Sequence, residues 1–146
     1  MSLLKKCLFD YVGAAVAAAN STDANSSRLD MAGWDGVVFL TTITDSVATG
    51  VATLKVEANT ADSDSGMAAI TGATAMATSA GNDDLNGMLL IVDVYRPAKR
   101  YVQGVRTSAT ANIAFGECVA VRYRGRKAPV SQNAATVADA EFVVGS

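Results

Sequence analysis

Residues 89–107, LLIVDVYRPAKRYVQGVRT, constrain the fold more than any other stretch of the chain. Two β-rich runs flank Arg96-Pro97-Ala98-Lys99, and Val92, Val94, Tyr101, Val102 and Val105 are the β-branched and aromatic types that suit a pleated, half-buried surface. Pro97 fixes φ and lacks an N–H, so it belongs to the connection and not to either strand. A four-residue connection with Pro near its start predicts a turn joining the two runs as a hairpin.

The remaining strands follow from alternation. Over residues 36–44, Val37, Phe39, Thr41 and Ile43 share one face, with Val38, Leu40, Thr42 and Thr44 opposite. Over residues 51–58, Ala52, Leu54, Val56 and Ala58 alternate with Thr53, Lys55 and Glu57, the pattern of an antiparallel strand dry on one side. Residues 113–123 form a long run interrupted by Gly116, where a bulge or bend is expected. Residues 12–19, 28–31, 67–70 and 74–78 are weaker strand candidates. The polar segments 20–25, 59–66 and 80–87 carry turn chemistry. Leu3, Leu4, Cys7, Leu8, Tyr11 and Val12 recur at helical spacing, so the N-terminal segment reads as a short helix or an extended arm. Many short strands with turns between them and no convincing internal helix predict an all-β, antiparallel, jelly-roll-like β-sandwich. Phe39, Leu54, Val56, Val92 and Val94 are expected in its core. The organisation expected is an N-terminal arm over 1–11, a sandwich over 12–130 and a C-terminal arm over 131–146.

A chain of 146 residues is long enough to bury one core. Charged residues make up 18%, a low share that fits a close-packed β protein or one covered by partners. The net charge of −2 conceals an asymmetry: residues 1–95 sum to −7 and residues 96–146 to +5. Opposite poles of this kind orient a polar partner or align identical subunits. Lys5 and Lys6 before an Ala-rich run imitate a secretory signal, but Asp10 interrupts the apolar stretch, and the segment is expected to be retained. No run reaches the length of a membrane span. Cys7 and Cys118 are far apart in sequence and are expected to be reduced thiols.

Recognisable chemistry is sparse. The absence of His removes the commonest general base and most transition-metal sites. Asp62-Ser63-Asp64-Ser65-Gly66 imitates a calcium loop, yet Ala73 occupies the place of the distal bidentate Glu. Asp83-Asp84 is a carboxylate pair on a turn. No catalysis, metal or cofactor is therefore expected. One polar cluster stands out: Arg96, Lys99 and Arg100 at the connection, and Arg122, Arg124, Arg126 and Lys127 at the end of the long strand, with Arg106 between. Tyr95, Tyr101 and Tyr123 interleave with these cations as in single-strand nucleic-acid binders. The sequence pI near 4.9 argues against that partner. Arg and Tyr are enriched at protein interfaces, so contact with a protein partner or another copy is the expectation.

The succession Leu29-Asp30-Met31-Ala32-Gly33-Trp34-Asp35-Gly36-Val37-Val38-Phe39, then residues 52–57, then Asp62-Ser63-Asp64, then Arg100-Tyr101-Val102 and Arg126-Lys127-Ala128-Pro129-Val130 resembles the small capsid cement or decoration proteins of tailed bacteriophages. The resemblance covers residues 12–130 and lies in the order of the pieces. It implies a jelly-roll-like sandwich on the outer surface of the head, bridging neighbouring copies of the phage major capsid protein, often as a homodimer or homotrimer, without catalysis.

Beyond residue 131, Phe142, Val143 and Val144 return next to the terminus. An apolar tail is an aggregation hazard unless it docks, so it is expected to reach a groove or sheet edge of a neighbour, or to fold back on its own sandwich. The alternative function is a carbohydrate- or receptor-binding jelly-roll module of a phage tail, for which Trp34 beside Asp35 is the candidate aromatic. Core packing of Trp34 competes with that role, because it opens a strongly apolar strand.

Overall fold

The structure is a computed structural model and describes residues 2–145. The chain runs α1 (Leu3–Lys6), β1 (Leu8–Gly13), β2 (Val16–Ala19), β3 (Thr22–Asn25), β4 (Leu29–Asp30), β5 (Gly36–Ser46), β6 (Val51–Asn59), β7 (Ala68–Thr78), β8 (Leu89–Tyr95), β9 (Tyr101–Ala109) and β10 (Ile113–Tyr123). One sheet has the order β1–β10–β5–β8, with β2 continuing the β1 edge along β10. The other has the order β3–β9–β6–β7, with β4 continuing the β3 edge along β9. All pairings are antiparallel. Counting each broken edge as one strand, first pairs with last, second with next-to-last and so inward, which is a two-stranded ribbon rolled into two facing sheets. That is the jelly roll.

The core lies between the sheets and follows the alternation. Phe39, Leu54 and Val56 are fully buried, and Val92 and Val94 nearly so. Gly104 lets β9 approach β5 closely: a Cβ there would meet the Phe39 ring at 2.8 Å. In β10 the register against β5 shifts between Phe115 and Cys118, so a bulge does occupy Gly116-Glu117. The bulge turns Cys118 and Ala120 inward beside Ile113 and Phe115, and Val119 and Val121 outward.

Several expectations need correction. The 89–107 stretch is not a hairpin. β8 pairs with β5 over seven consecutive residues, β9 pairs with β6 over nine, and the 96–100 connection carries the chain from one sheet to the other. Arg96, at φ 52, starts that change of direction. Residues 22–25 are an edge strand and not a turn, because an edge strand needs only one ladder and no apolar face. Residues 68–78 form one strand whose register jumps from Thr74 to Ala69 against Lys55 and Glu57, with Gly72 at φ 82 inside the bulge. The helix ends at Lys6, and residues 8–11 already belong to β1.

Arg106, counted with the surface cations, lies inside the sandwich at 2% exposure. Its Nη1 donates to the Ala14 carbonyl at 2.8 Å and the Gly116 carbonyl at 2.7 Å. These carbonyls sit where the ladder is interrupted, at the β1–β2 break and at the β10 bulge. The guanidinium thus replaces donors that strand pairing would have supplied. Burial lowers its pKa. Both cysteines are free and buried, and burial pushes the Cys118 thiol up to about 11, which keeps it in the unreactive protonated form.

Candidate interaction surface

The predicted cations converge on one end of the sandwich, where loops 31–35, 96–100 and 124–128 meet around Trp34. They are not equivalent there. Arg100 grips Asp30 with two parallel bonds, Nε at 2.9 Å and Nη2 at 2.8 Å. This holds the Asp30 carboxyl at about 2, below its ordinary 3.8. Arg122 is mostly buried, paired with Asp10 at 2.8 Å and bonded to the Asp30 carbonyl at 2.9 Å. It therefore ties β10 to β1 and β4 across the sandwich end. Arg124 lies 3.4 Å from Asp35. Arg96, Lys99, Arg126 and Lys127 have no carboxylate partner among the described residues. Arg96 and Arg126 flank a shallow open depression of about 440 Å³ with Met31, Trp34 and Pro97. Trp34 is half-buried, packed against the core and Gly125 and under Arg122.

The polar turn that imitates a calcium loop folds back towards Arg28, which lies 2.7 Å from Asp62 and 3.8 Å from Asp64. Among the described residues no cluster of three His, Cys, Asp or Glu side chains is placed to hold a metal.

The predicted tail residues stand at the same end as the cations. Residues 130–133 are fastened along β1: the Gln132 amide accepts from Phe9 N at 3.0 Å and donates to the carbonyls of Cys7 at 2.7 Å and Leu4 at 2.9 Å. Farther on, Phe142 is half exposed with Lys5 Nζ 4.5 Å above its ring, and Val143 and Val144 are exposed.

A larger surface escaped the sequence reading. On the solvent side of the β1–β10–β5–β8 sheet, cross-strand neighbours form two apolar rows. One runs Tyr11–Val119–Leu40–Ile91, and the other runs from Phe9 through Val121 and Val38 to Asp93. Leu89 and Tyr95 extend the surface along β8, and Leu89, Ile91 and Tyr95 are each more than half exposed. Asp93 is the charge within it, and it accepts a 2.7 Å bond from the Tyr123 hydroxyl. Burial, reinforced by that bond, raises the Tyr123 pKa and keeps the hydroxyl protonated. The sequence did carry a clue: residues 37–40, 89–92 and 119–121 are apolar on both faces, which a solvated antiparallel sheet does not require.

The fold has a known counterpart. It is similar to that of XepA. The solved structure of PBSX exported protein XepA superposes with a TM-score of 0.51 at 18% identity, over 98% of this chain and 45% of that one. The chain thus spans less than half the length of XepA, and the likeness is one of fold. No protein-family model and no curated protein sequence matches the chain.

Proposed function

We propose that this chain is a structural virion protein of a tailed phage, which docks on the outer surface of the head and cements neighbouring major capsid subunits. The observation that carries the reading is the apolar outer face of the β1–β10–β5–β8 sheet. Contiguous apolar surface of this kind marks an interaction site, and this one is built on a rigid ladder rather than on loops. A shell under internal pressure fails at contacts between capsomers, and a clamp across such a contact adds binding energy that rupture must overcome. Interfaces of standard size bury about 1,600 Å². Many copies acting together raise avidity without requiring each contact to be strong. The fold shared with XepA, an exported protein of the phage PBSX, supports the phage setting. The free cations Arg96, Lys99 and Arg126 fit the rim of such a contact, where they steer docking more than they tighten it. Trp34, on which carbohydrate binding would rest, has its ring engaged by Gly125 and Arg122.

The test is co-sedimentation of the purified protein with heads that lack it. Wild type is expected to pellet with the heads. Leu40→Asp and Val119→Asp, each placing a charge in the middle of the apolar face, are expected to stay in the supernatant while melting close to wild type. Undiminished pelleting of both variants, or failure of the wild type to bind heads, overturns the reading.

A further inference from the structure

An open β-sandwich has four outer edges, and three of them here are blunted. The β1 edge is capped by the Gln132 amide, which occupies Phe9 N and the Cys7 carbonyl. The β3–β4 edge consists of pieces of four and two residues separated by residues 26–28. The β7 edge is bent by its bulge at Gly72. Native sheets use these devices against pairing with other chains. The β8 edge has no cap, break or bulge: seven residues in unbroken register with β5, no Pro, Lys or Arg, and a single charge, Asp93, which is engaged by the Tyr123 hydroxyl on the outer face of the sheet.

Hydrogen-bond parity shows which groups of β8 are open. Ile43 N donates to the Met88 carbonyl at 2.9 Å and Arg96 N to the Asp35 carbonyl at 2.7 Å, bracketing the ladder. Alternation between these points assigns Leu90, Val92 and Val94 to bonds with β5. The N–H and C=O groups of Leu89, Ile91, Asp93 and Tyr95 point to the free edge.

The charges at the two ends of β8 identify the partner. Asp83 and Asp84 precede the strand, and Arg96 and Lys99 follow it. All four are exposed, and none has an oppositely charged partner among the described residues. Antiparallel pairing with an identical strand lays the acidic start of each copy beside the basic end of the other. Parallel pairing would set like charge against like.

We propose that β8 pairs antiparallel with β8 of a second copy of this chain across a two-fold axis. The two four-strand sheets then become one sheet eight strands wide. This is an isologous contact, closed by its own symmetry. It does not depend on what the outer face of the sheet binds.

Sedimentation equilibrium of the full chain tests it. Wild type is expected to dimerise. Ile91→Pro removes one free-edge N–H and no bond to β5, and is expected to abolish the dimer. Ile91→Ser keeps the N–H, loses only the apolar side chain, and is expected to dimerise. Reversal of Asp83 and Asp84 to Lys, or of Arg96 and Lys99 to Glu, is expected to raise Kd about tenfold, given the modest worth of each rim pair. Combining both reversals is expected to restore Kd to near wild type. These loop residues are exposed, so the charge series decides the matter even if Ile91→Pro fails to fold. A wild type that stays monomeric up to millimolar concentration overturns the proposal. So does equal loss of the dimer in Ile91→Ser and Ile91→Pro, which would place association on the sheet face, and so does a combined reversal that rescues nothing.

Discussion

Arg106 brings a positive charge into the sandwich with no carboxylate paired to it among the described residues, and its bonds to the Ala14 and Gly116 carbonyls are what justify its burial. Replacing it with Met keeps much of the volume but removes the bond to the Ala14 carbonyl. Gly116 retains the Thr41 hydroxyl at 3.2 Å. A hydrogen bond to a charged group contributes about 1.5–3 kcal/mol, so urea denaturation of Arg106→Met is expected to show a loss in that range. An unchanged midpoint would mean that the Ala14 carbonyl finds an equivalent donor. Gly104→Val tests the opposite fault, since its side chain must enter the space of the Phe39 ring. Overpacking of this sort costs about 1–3 kcal/mol and is expected to lower the melting temperature without changing the strand content seen by circular dichroism. Asp30 gives the molecule a pH dependence of defined sign. Its carboxyl, held at about 2 by the Arg100 bonds against an ordinary 3.8, contributes stability that is fully present above its unfolded value and is lost as pH falls through the folded one. The difference in melting temperature between wild type and Arg100→Leu should be constant above about pH 5 and shrink between about pH 4 and 2. A difference that does not change over that window would remove the salt link from the account.

At the scale of elements, the edges distinguish this sandwich from a generic one. Gln132 acts as a one-residue strand, its side-chain amide imitating a peptide group against β1. Gln132→Ala is expected to raise hydrogen exchange at the Phe9 amide well above that of its neighbours, with a global loss of about 1 kcal/mol. Unaltered protection at Phe9 would show that residues 130–133 cap the edge by packing alone. The connection at residues 96–100 belongs to the same scale. Seen locally, two β-rich runs joined by Arg-Pro-Ala-Lys are a hairpin, and the chain makes none there. β5 and β6 offer β8 and β9 longer ladders in opposite layers than the two runs could give each other, and a pairing chosen by distant strands leaves no mark on the connection itself.

For the whole molecule, the cations gathered at the Trp34 end and the apolar face of the β1–β10–β5–β8 sheet are separate surfaces with different weight. Arg100, Arg122 and Arg124 face carboxylates of their own chain, leaving Arg96, Lys99, Arg126 and Lys127 for outside contacts. Phe142 meets Lys5 while Val143 and Val144 stand in solvent, so the end of the tail adds little to the core. Removing residues 139–146 is expected to move the melting temperature by no more than about 2 °C, whereas removal from residue 130 onward uncovers the β1 edge and should lower it by more. Equal losses from the two truncations would make the terminal residues part of the fold. The sequence by itself determined where the long strands lie, which side chains form their dry face, and that β10 is interrupted by a bulge or bend at Gly116, because alternation with a period of two is a local property of the chain. Only the tertiary structure decided that residues 22–25 are a strand, that β8 and β9 belong to different sheets, that Arg106 is internal and that an apolar face looks outward. Each of these depends on which distant segment lies alongside, and pairing across a sandwich is set by the ladders and layers that the whole chain forms together.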